Sequence, residues 1–311
     1  MRIVITGGAG FIGSHLIDKL LSRNFEIVVV DSLITGSIDN IKELIDTKKI
    51  QFIEQDVQKF LDIEGSVDVV AHLASIASPK AYMKYPINTL KSGSLGTINS
   101  LGLAKAKGAK YLLTSTSEVY GDPLISPQTE DYWGNVNPVG SRSMYDESKR
   151  FAEASAVTYI NEFGLDVKIA RIFNTYGTRM KINDGRVVTN FIYQAITDND
   201  ITIYGDGTQT RSLSYVSDTV EYLDRLLNSD FQGVMNIGNP EEIMILDLAK
   251  KIIEKTESNS KIKFFELPED DPKIRKPDIT RAIKELGYKP LIKLDQGLDI
   301  LISWIKERIN K

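Results

Sequence analysis

Short apolar runs alternate with amphipathic stretches over the first part of the chain, and that alternation predicts an architecture. "RIVIT", "EIVVV", "IQFIEQD", "VDVVAHLA", "AKYLLTSTS" and "LDVKIARIF" have the length and composition of buried strands, with helical patterns between most of them. Strands that recur with helices between them join a parallel sheet through right-handed crossovers, so a doubly wound α/β domain is expected over residues 1–177. After "FNTYG" the pattern is less regular. Turn signals in "NDGR" and "YGDGTQ" and a polar, proline-punctuated segment, "ELPEDDPKIRKPD", precede a last helical pattern ending in "LISWIKERI". A smaller C-terminal α/β domain is expected over residues 178–311, with part of that chain returning to the first domain.

Composition and charge then narrow the chemistry. With 311 residues, 42% hydrophobic and 26% charged, the chain suits one large or two smaller globular domains, which excludes disordered and fibrous classes. The 38 Lys plus Arg against 42 Asp plus Glu leave a net charge of -4, without the basic footprint of a nucleic-acid binder. There is no cysteine, which excludes disulfides, thiolate catalysis and cysteine metal sites, and His15 and His72 are too few to suggest a metal centre. No metal is expected. The N-terminus runs straight into strand-like sequence and no stretch of about 18 apolar residues occurs, so a cytoplasmic protein without membrane contact is expected.

"RIVITGGAGFIGSHLIDKLL" places Gly7, Gly10 and Gly13 between a strand and an amphipathic helix. Glycine there allows a tight turn, close approach of the backbone to a pyrophosphate, and packing of helix on strand, while the helix N-terminus attracts phosphate charge. Asp31 ends the second strand, 18 residues beyond Gly13, where a carboxylate accepts from a ribose 2′-hydroxyl and repels a 2′-phosphate. A Rossmann-type site for NAD rather than NADP is expected. In "SMYDESKRFAEA", Tyr145 and Lys149 stand four apart on one helix face, the arrangement in which an ammonium favours the phenolate of a tyrosine base. "STSEVYGD" ends an apolar strand with Glu118, a carboxylate that needs a use in such a place.

The glycine pattern, "STSEVYGD" and "YDESK" together resemble the extended short-chain dehydrogenase/reductases that act on nucleotide sugars. "HLASIASPKAYM", "EDYWGNVNPVG", "ARIFNTYG", "NDGRVV", "YGDGTQTRSLSYVSD", "NIGNPEE" and "DDPKIRKPDI" resemble the UDP-glucuronate decarboxylases (UDP-xylose synthases) of that superfamily almost end to end. The resemblance implies that Tyr145 deprotonates the sugar C4 hydroxyl, assisted by Lys149 and Thr116, that hydride passes to NAD, and that the resulting β-keto acid loses carbon dioxide before the hydride returns. It implies that Glu118 holds the sugar ring and manages the proton or water at C5, with Arg275 at the reacting end of the sugar. It places Gly7, Gly10, Phe11, Ile12, Gly13, Asp31 and Ser32 against the cofactor. Thr35, Gly36, Asp56, Val57, Leu73 and Ser75 join them, with Tyr145 and Lys149. Lys91, Asn174, Arg211 and Arg275 are implied to contact the UDP-sugar, Arg179 more weakly, and the two long helices to pair with those of a second copy in a homodimer. The sequence departs from the family pattern at Gly93, Ser141 and Thr178, all expected to flank the substrate pocket. A UDP-sugar 4-epimerase shares Tyr145 and Lys149 without needing the Glu118 and Arg275 pair. A 4,6-dehydratase is expected to carry an acid where Ser117 stands, and a non-catalytic NAD-sensing regulator has no need of the Tyr145 and Lys149 pair.

Overall fold

All six apolar runs form strands: β1 (Arg2–Thr6), β2 (Glu26–Asp31), β3 (Gln51–Glu54), β4 (Val69–His72), β5 (Lys110–Thr116) and β6 (Val167–Ile172). The computed structural model describes residues 1–182, 185–266 and 274–309; Asn183 and Asp184 of the "NDGR" turn, and residues 267–273 of the polar segment, lie outside the described residues. Between the strands run α1 (Phe11–Leu21), α2 (Lys42–Asp46), α3 (Pro79–Lys84), α4 (Pro86–Lys107) and α5 (Ser143–Phe163). The later chain forms β7 (Thr175–Tyr176), α6 (Val187–Ile196), β8 (Ile201–Tyr204), β9 (Thr210–Ser212), β10 (Ser214–Tyr215), α7 (Val216–Leu227) and β11 (Gly233–Ile237). It ends with β12 (Glu242–Met244), α8 (Ile245–Thr256), β13 (Ile262–Phe265), α9 (Thr280–Leu286) and α10 (Leu294–Ile309).

Seven strands make one sheet in the order β11-β6-β5-β4-β1-β2-β3, and every pairing in it is parallel. Successive side chains on a strand point to opposite faces, so each strand feeds two cores. On β1, Ile3 and Ile5 join Leu16, Ile17 and Leu20 of α1. Val4 faces the other way, with Leu101 and Ala104 of α4 and Ala152 and Ala156 of α5. Buried on both faces, the strands read as near-continuous apolar runs rather than alternating ones.

The seventh strand, β11, comes from beyond residue 177 and pairs with β6 from Gly233↔Lys168 to Ile237↔Ile172. Beside the sheet, β8 pairs with β13, β9 with β12, and β7 with β10 as two-stranded ribbons, while α6, α8 and α10 carry Ile192, Leu248 and Leu301 into the first core. The sheet has its switch point at β1, which sits between β2 and β4. Crevices open at the C-terminal ends of strands at such a point, and the site lies there.

Candidate active site

A cavity of about 1580 Å³ opens over the C-terminal ends of the strands, lined from Gly7 and Gly10 through Ser115–Glu118 to Arg211 and Arg275. At its nucleotide end Gly7 adopts φ +74, and a side chain there meets the backbone N of Ala74 at 2.6 Å. The Gly7 N–H donates to Val30 O (2.8 Å) and Gly10 N–H returns to Gly7 O (3.1 Å), so the turn closes on itself and delivers the chain to the N-terminus of α1. A side chain at Gly13 strikes the Gly7 carbonyl and Gly8. α1 has no acidic residue in its first turn, which leaves that helix end positive. Buried Asp31 accepts from the N–H groups of Ala9 (3.0 Å) and Leu33 (2.9 Å). Burial pushes its carboxyl up, against the opposing pull of those N–H groups. A cradle that only glycine fits, a bare helix N-terminus and a carboxylate at the neighbouring strand end suit a dinucleotide. Phe11, Ile12, Ser32, Thr35, Gly36, Asp56, Val57, Leu73 and Ser75 line the same wall, so all the expected cofactor positions face the cavity.

The strand β5 hands over to a tight 3₁₀ turn, Ser117–Tyr120, with Thr116 as its cap: the Glu118 N–H donates to Thr116 Oγ1 at 3.2 Å. Gly121 (φ +63) ends the turn where a side chain collides with the backbone of Asn135 and Val136. This geometry turns Glu118 into the cavity. Thr116 also hydrogen-bonds Tyr145, which stacks on Tyr82 with ring centroids 5.3 Å apart. Lys149, one turn further along α5, donates to Thr114 O at 2.8 Å, and its Nζ lies 6.0 Å from the Tyr145 ring centre.

Glu118 is buried, and each of its oxygens has an arginine: Oε1 pairs with Arg142 at 2.6 Å and Oε2 with Arg275. Burial pushes this carboxyl up, but Arg275 and Arg142, with Arg211 behind them, outweigh burial and hold it below the usual carboxylate range. Tyr145 is shifted the other way. Burial first, and then the Glu118 charge, raise its phenol above the ordinary tyrosine value, against the Thr116 hydrogen bond and Arg186. Burial pulls Lys149 down to about 8, with Glu153 acting in the opposite direction. Behind the site, Arg171 grips Glu153 with two nitrogens (2.9 and 2.7 Å) and donates to Tyr120 at 2.8 Å. The Tyr120 hydroxyl donates to Asn236 Oδ1 of β11 at 2.8 Å.

Thr116, Glu118, Tyr145, Lys149, Asn174, Arg211 and Arg275 come together on the cavity wall. Lys91 does not: it stands exposed on α4, away from the cavity lining. The helix phase explains this. Gly93 and Gly96 turn inward, Gly93 so close to α5 that a side chain meets Ser148 Oγ at 2.5 Å, and Lys91 is thereby rotated outward. Gly93 therefore serves helix packing rather than the pocket rim, while Ser141 does line the cavity and the Thr178 carbonyl lies 2.9 Å from His15 Nε2. Arg179 reaches the cavity edge but pairs with Asp18 at 2.7 Å. Sequence reasoning missed Arg142, Arg186 and Tyr82, all of which line the cavity. Arg142 carried a signal: it stands three residues before Tyr145, one helical turn away on the same side.

Asp146, also missed, is buried, and its Oδ1 has no hydrogen-bond partner among the described residues. Its carboxyl is pushed up to about 7, by burial first and by Glu118 next, with Glu147 adding to this and Arg142 and Arg275 opposing it.

Comparison with known proteins places this geometry. Residues 3–238 match the model of the NAD dependent epimerase/dehydratase family. The chain is 53% identical to UDP-glucuronic acid decarboxylase 5 of Arabidopsis thaliana over 311 residues, 100% of this chain and 91% of that one. Among solved structures, a UDP-glucose 4-epimerase from Thermotoga maritima, crystallised with UDP-glucose, superposes with a TM-score of 0.91 at 27% identity, covering 99% of this chain and 100% of that one. A UDP-glucuronic acid 4-epimerase from Bacillus cereus, in complex with UDP-glucuronic acid and NAD, superposes at 0.88 with 29% identity over the same shares.

A buried carboxyl with a raised pKa makes the native state bind more protons than the unfolded chain, so its stabilising contribution is present at low pH and is lost as pH rises towards 7. Asp146→Asn is expected to raise the melting temperature by roughly 3 °C at about pH 8 and by little at about pH 3, where the carboxyl is mainly protonated in both states. A melting-temperature difference that is flat across this range overturns the assignment.

Proposed function

The chain belongs to the NAD dependent epimerase/dehydratase family, in its UDP-glucuronic acid decarboxylase branch, and we propose that it converts UDP-glucuronate to UDP-xylose and carbon dioxide through a 4-keto intermediate. One observation carries the reading beyond the family: beside the tyrosine of the oxidation site stands a carboxylate held between two guanidinium groups, Glu118 with Arg142 and Arg275. Oxidation at C4 alone has no need of it. A sugar bearing a carboxylate that must first be oriented and then lost does.

In this reading Tyr145 takes the proton of the C4 hydroxyl, with Thr116 sharing that hydrogen bond and buried Lys149 oriented by the Thr114 carbonyl. Bound NAD supplies the hydride acceptor and donor at C4 and, when oxidised, a cationic ring that favours a phenolate. The C4 ketone makes the neighbouring carboxylate that of a β-keto acid. Its C–C bond breaks, the electron pair moves into an enolate, carbon dioxide leaves, and one proton replaces it at C5. Arg142 and Arg275 attract the substrate carboxylate but are already engaged by Glu118. Sharing prevents a tight clamp on a charge that the reaction destroys, so the ground state is not stabilised at the expense of the transition state. Glu118, held as the anion, acts at C5 as an acceptor that orients a water or the incoming proton. Asn174 and Arg211 line the cavity, and in this reading they bind the UDP diphosphate, since a guanidinium fork fits phosphate oxygens.

A homodimer is part of the proposal. Ile87, Leu90, Leu95 and Ile98 leave an apolar stripe at helical spacing exposed along α4, with Phe151 and Val157 exposed on neighbouring α5. No helix among the described residues is long and apolar enough to cross a membrane, and we place the protein in the cytoplasm.

Incubation with NAD and UDP-glucuronate is expected to release carbon dioxide and form UDP-xylose; UDP-galacturonate without gas indicates an epimerase instead. Glu118→Gln frees both arginines for the substrate carboxylate, so substrate binding is expected to tighten while carbon dioxide release falls about 100-fold. An unchanged release rate removes Glu118 from the chemistry. Light scattering is expected to give twice the 34.8 kDa chain mass, and a monomer refutes the helix pairing.

A further inference from the structure

Arg275 reaches Glu118 from residues 274–279, a stretch outside every helix and strand. What fixes it is Gln128, on the long connection between the Glu118 turn and α5. The Gln128 N–H donates to Lys276 O (2.8 Å), and the Asp278 N–H donates to Gln128 O (2.8 Å), closing a one-residue parallel bridge with Pro277. The side chain repeats the grip. Its Oε1 accepts from the Lys276 N–H at 2.9 Å, and its Nε2 donates to Ile125 O at 2.6 Å. Asn236 of β11 seals the joint, donating to Gln128 O (2.9 Å) and Asp278 O (3.2 Å). On the other flank, the Ser212 N–H donates to Arg275 O at 3.3 Å, and Lys276 pairs with Glu242 at 2.9 Å.

Gln128 is only 1% exposed and is not among the cavity-lining residues, so it does not touch substrate or cofactor. A buried amide that spends both its polar atoms on backbone groups fixes where those groups stand. The residue next to its Oε1 contact is Arg275, whose guanidinium has to meet Glu118 within hydrogen-bond reach. We propose that Gln128 is a positioning residue that seats Arg275 against Glu118 and thereby sets how often an oxidised substrate goes on to lose carbon dioxide. This rests on the decarboxylase reading above. A displacement of about 1 Å at a reacting centre costs up to about 100-fold in rate, whereas Tyr145, Thr116 and Lys149 take their positions from β5 and α5, which Gln128 does not hold.

The test is a single-turnover experiment with NAD and UDP-glucuronate on wild type, Gln128→Met and Gln128→Glu. It records NADH absorbance for C4 oxidation and released carbon dioxide for the next step. Gln128→Met fills the space without either hydrogen bond. It is expected to leave oxidation within roughly twofold and to lower carbon dioxide released per NADH formed about tenfold, with 4-keto sugar accumulating. Gln128→Glu keeps an oxygen for the Lys276 N–H and, held neutral by burial, an O–H for the Ile125 carbonyl, so it is expected to retain most of the wild-type ratio. Where Gln128→Met fails to fold, Gln128→Asn, whose shorter amide cannot span the Lys276 N–H and the Ile125 carbonyl together, takes its place: a ratio lowered several-fold with oxidation kept sustains the proposal, and an unchanged ratio overturns it. A ratio unchanged in Gln128→Met, or oxidation and release falling together, also overturns it. Absence of carbon dioxide from the wild type overturns the decarboxylase reading itself, and the role of Gln128 with it.

Discussion

A carboxylate taken out of water needs a countercharge within reach, and at Glu118 two guanidinium groups supply it. The rest of the site is arranged around that requirement. Arg142 comes from the start of α5, Arg275 from the stretch before α9, and Glu118 from the turn after β5, so three distant segments must converge before the charge is balanced. Removing either arginine leaves a buried charge half compensated, which costs far more than the net worth of an exposed pair. The excess positive charge is the useful part. With Arg211 nearby, one anion faces three cations, and the site stays attractive to an incoming anionic substrate.

Behind this first layer lies a second that holds the strand ends in register. Ser115 and Arg171 meet on Glu153, Arg171 continues to Tyr120, and Tyr120 to Asn236. These groups belong to β5, α5, β6, the turn after β5, and β11. A hydrogen-bonded buried network of this kind rigidifies what it connects, and here it connects the middle of the Tyr145 and Lys149 helix, at Glu153, to the sheet. Glu153 is also the group that opposes the burial shift of Lys149, so the second layer bears on the first through charge as well as through shape.

How much of this was legible in the sequence depended on range. The six first strands were readable because strands buried on both faces become unbroken apolar runs, and the nucleotide turn because only glycine fits it. Glu118 was singled out by its odd position at a strand end, and its partnership with Arg275 came through resemblance alone, since nothing local in "KIRKP" points to a partner so far back in the chain. Arg142 was overlooked although helix periodicity places it beside Tyr145. Lys91 shows the converse: its motif resembles a substrate contact, but motifs carry no helix phase, and the close packing of Gly93 on Ser148 turns it outward. β11 gave little signal because "GVMNI" is short and sits amid turn residues. Its strand character comes from the waiting edge of β6.

That edge bears on how the molecule is made. A ribosome releases β6 well before β11, and until β11 arrives the backbone groups along Val167–Ile172 have no partner on that side. An open edge beside apolar neighbours is a template for pairing with the wrong chain. Completion of the sheet is thus postponed until much of the later chain has been synthesised, and the shortest length of nascent chain holding all seven of its strands ends no earlier than Ile237. The two halves cannot be assembled as independent modules: one supplies the last strand of the other.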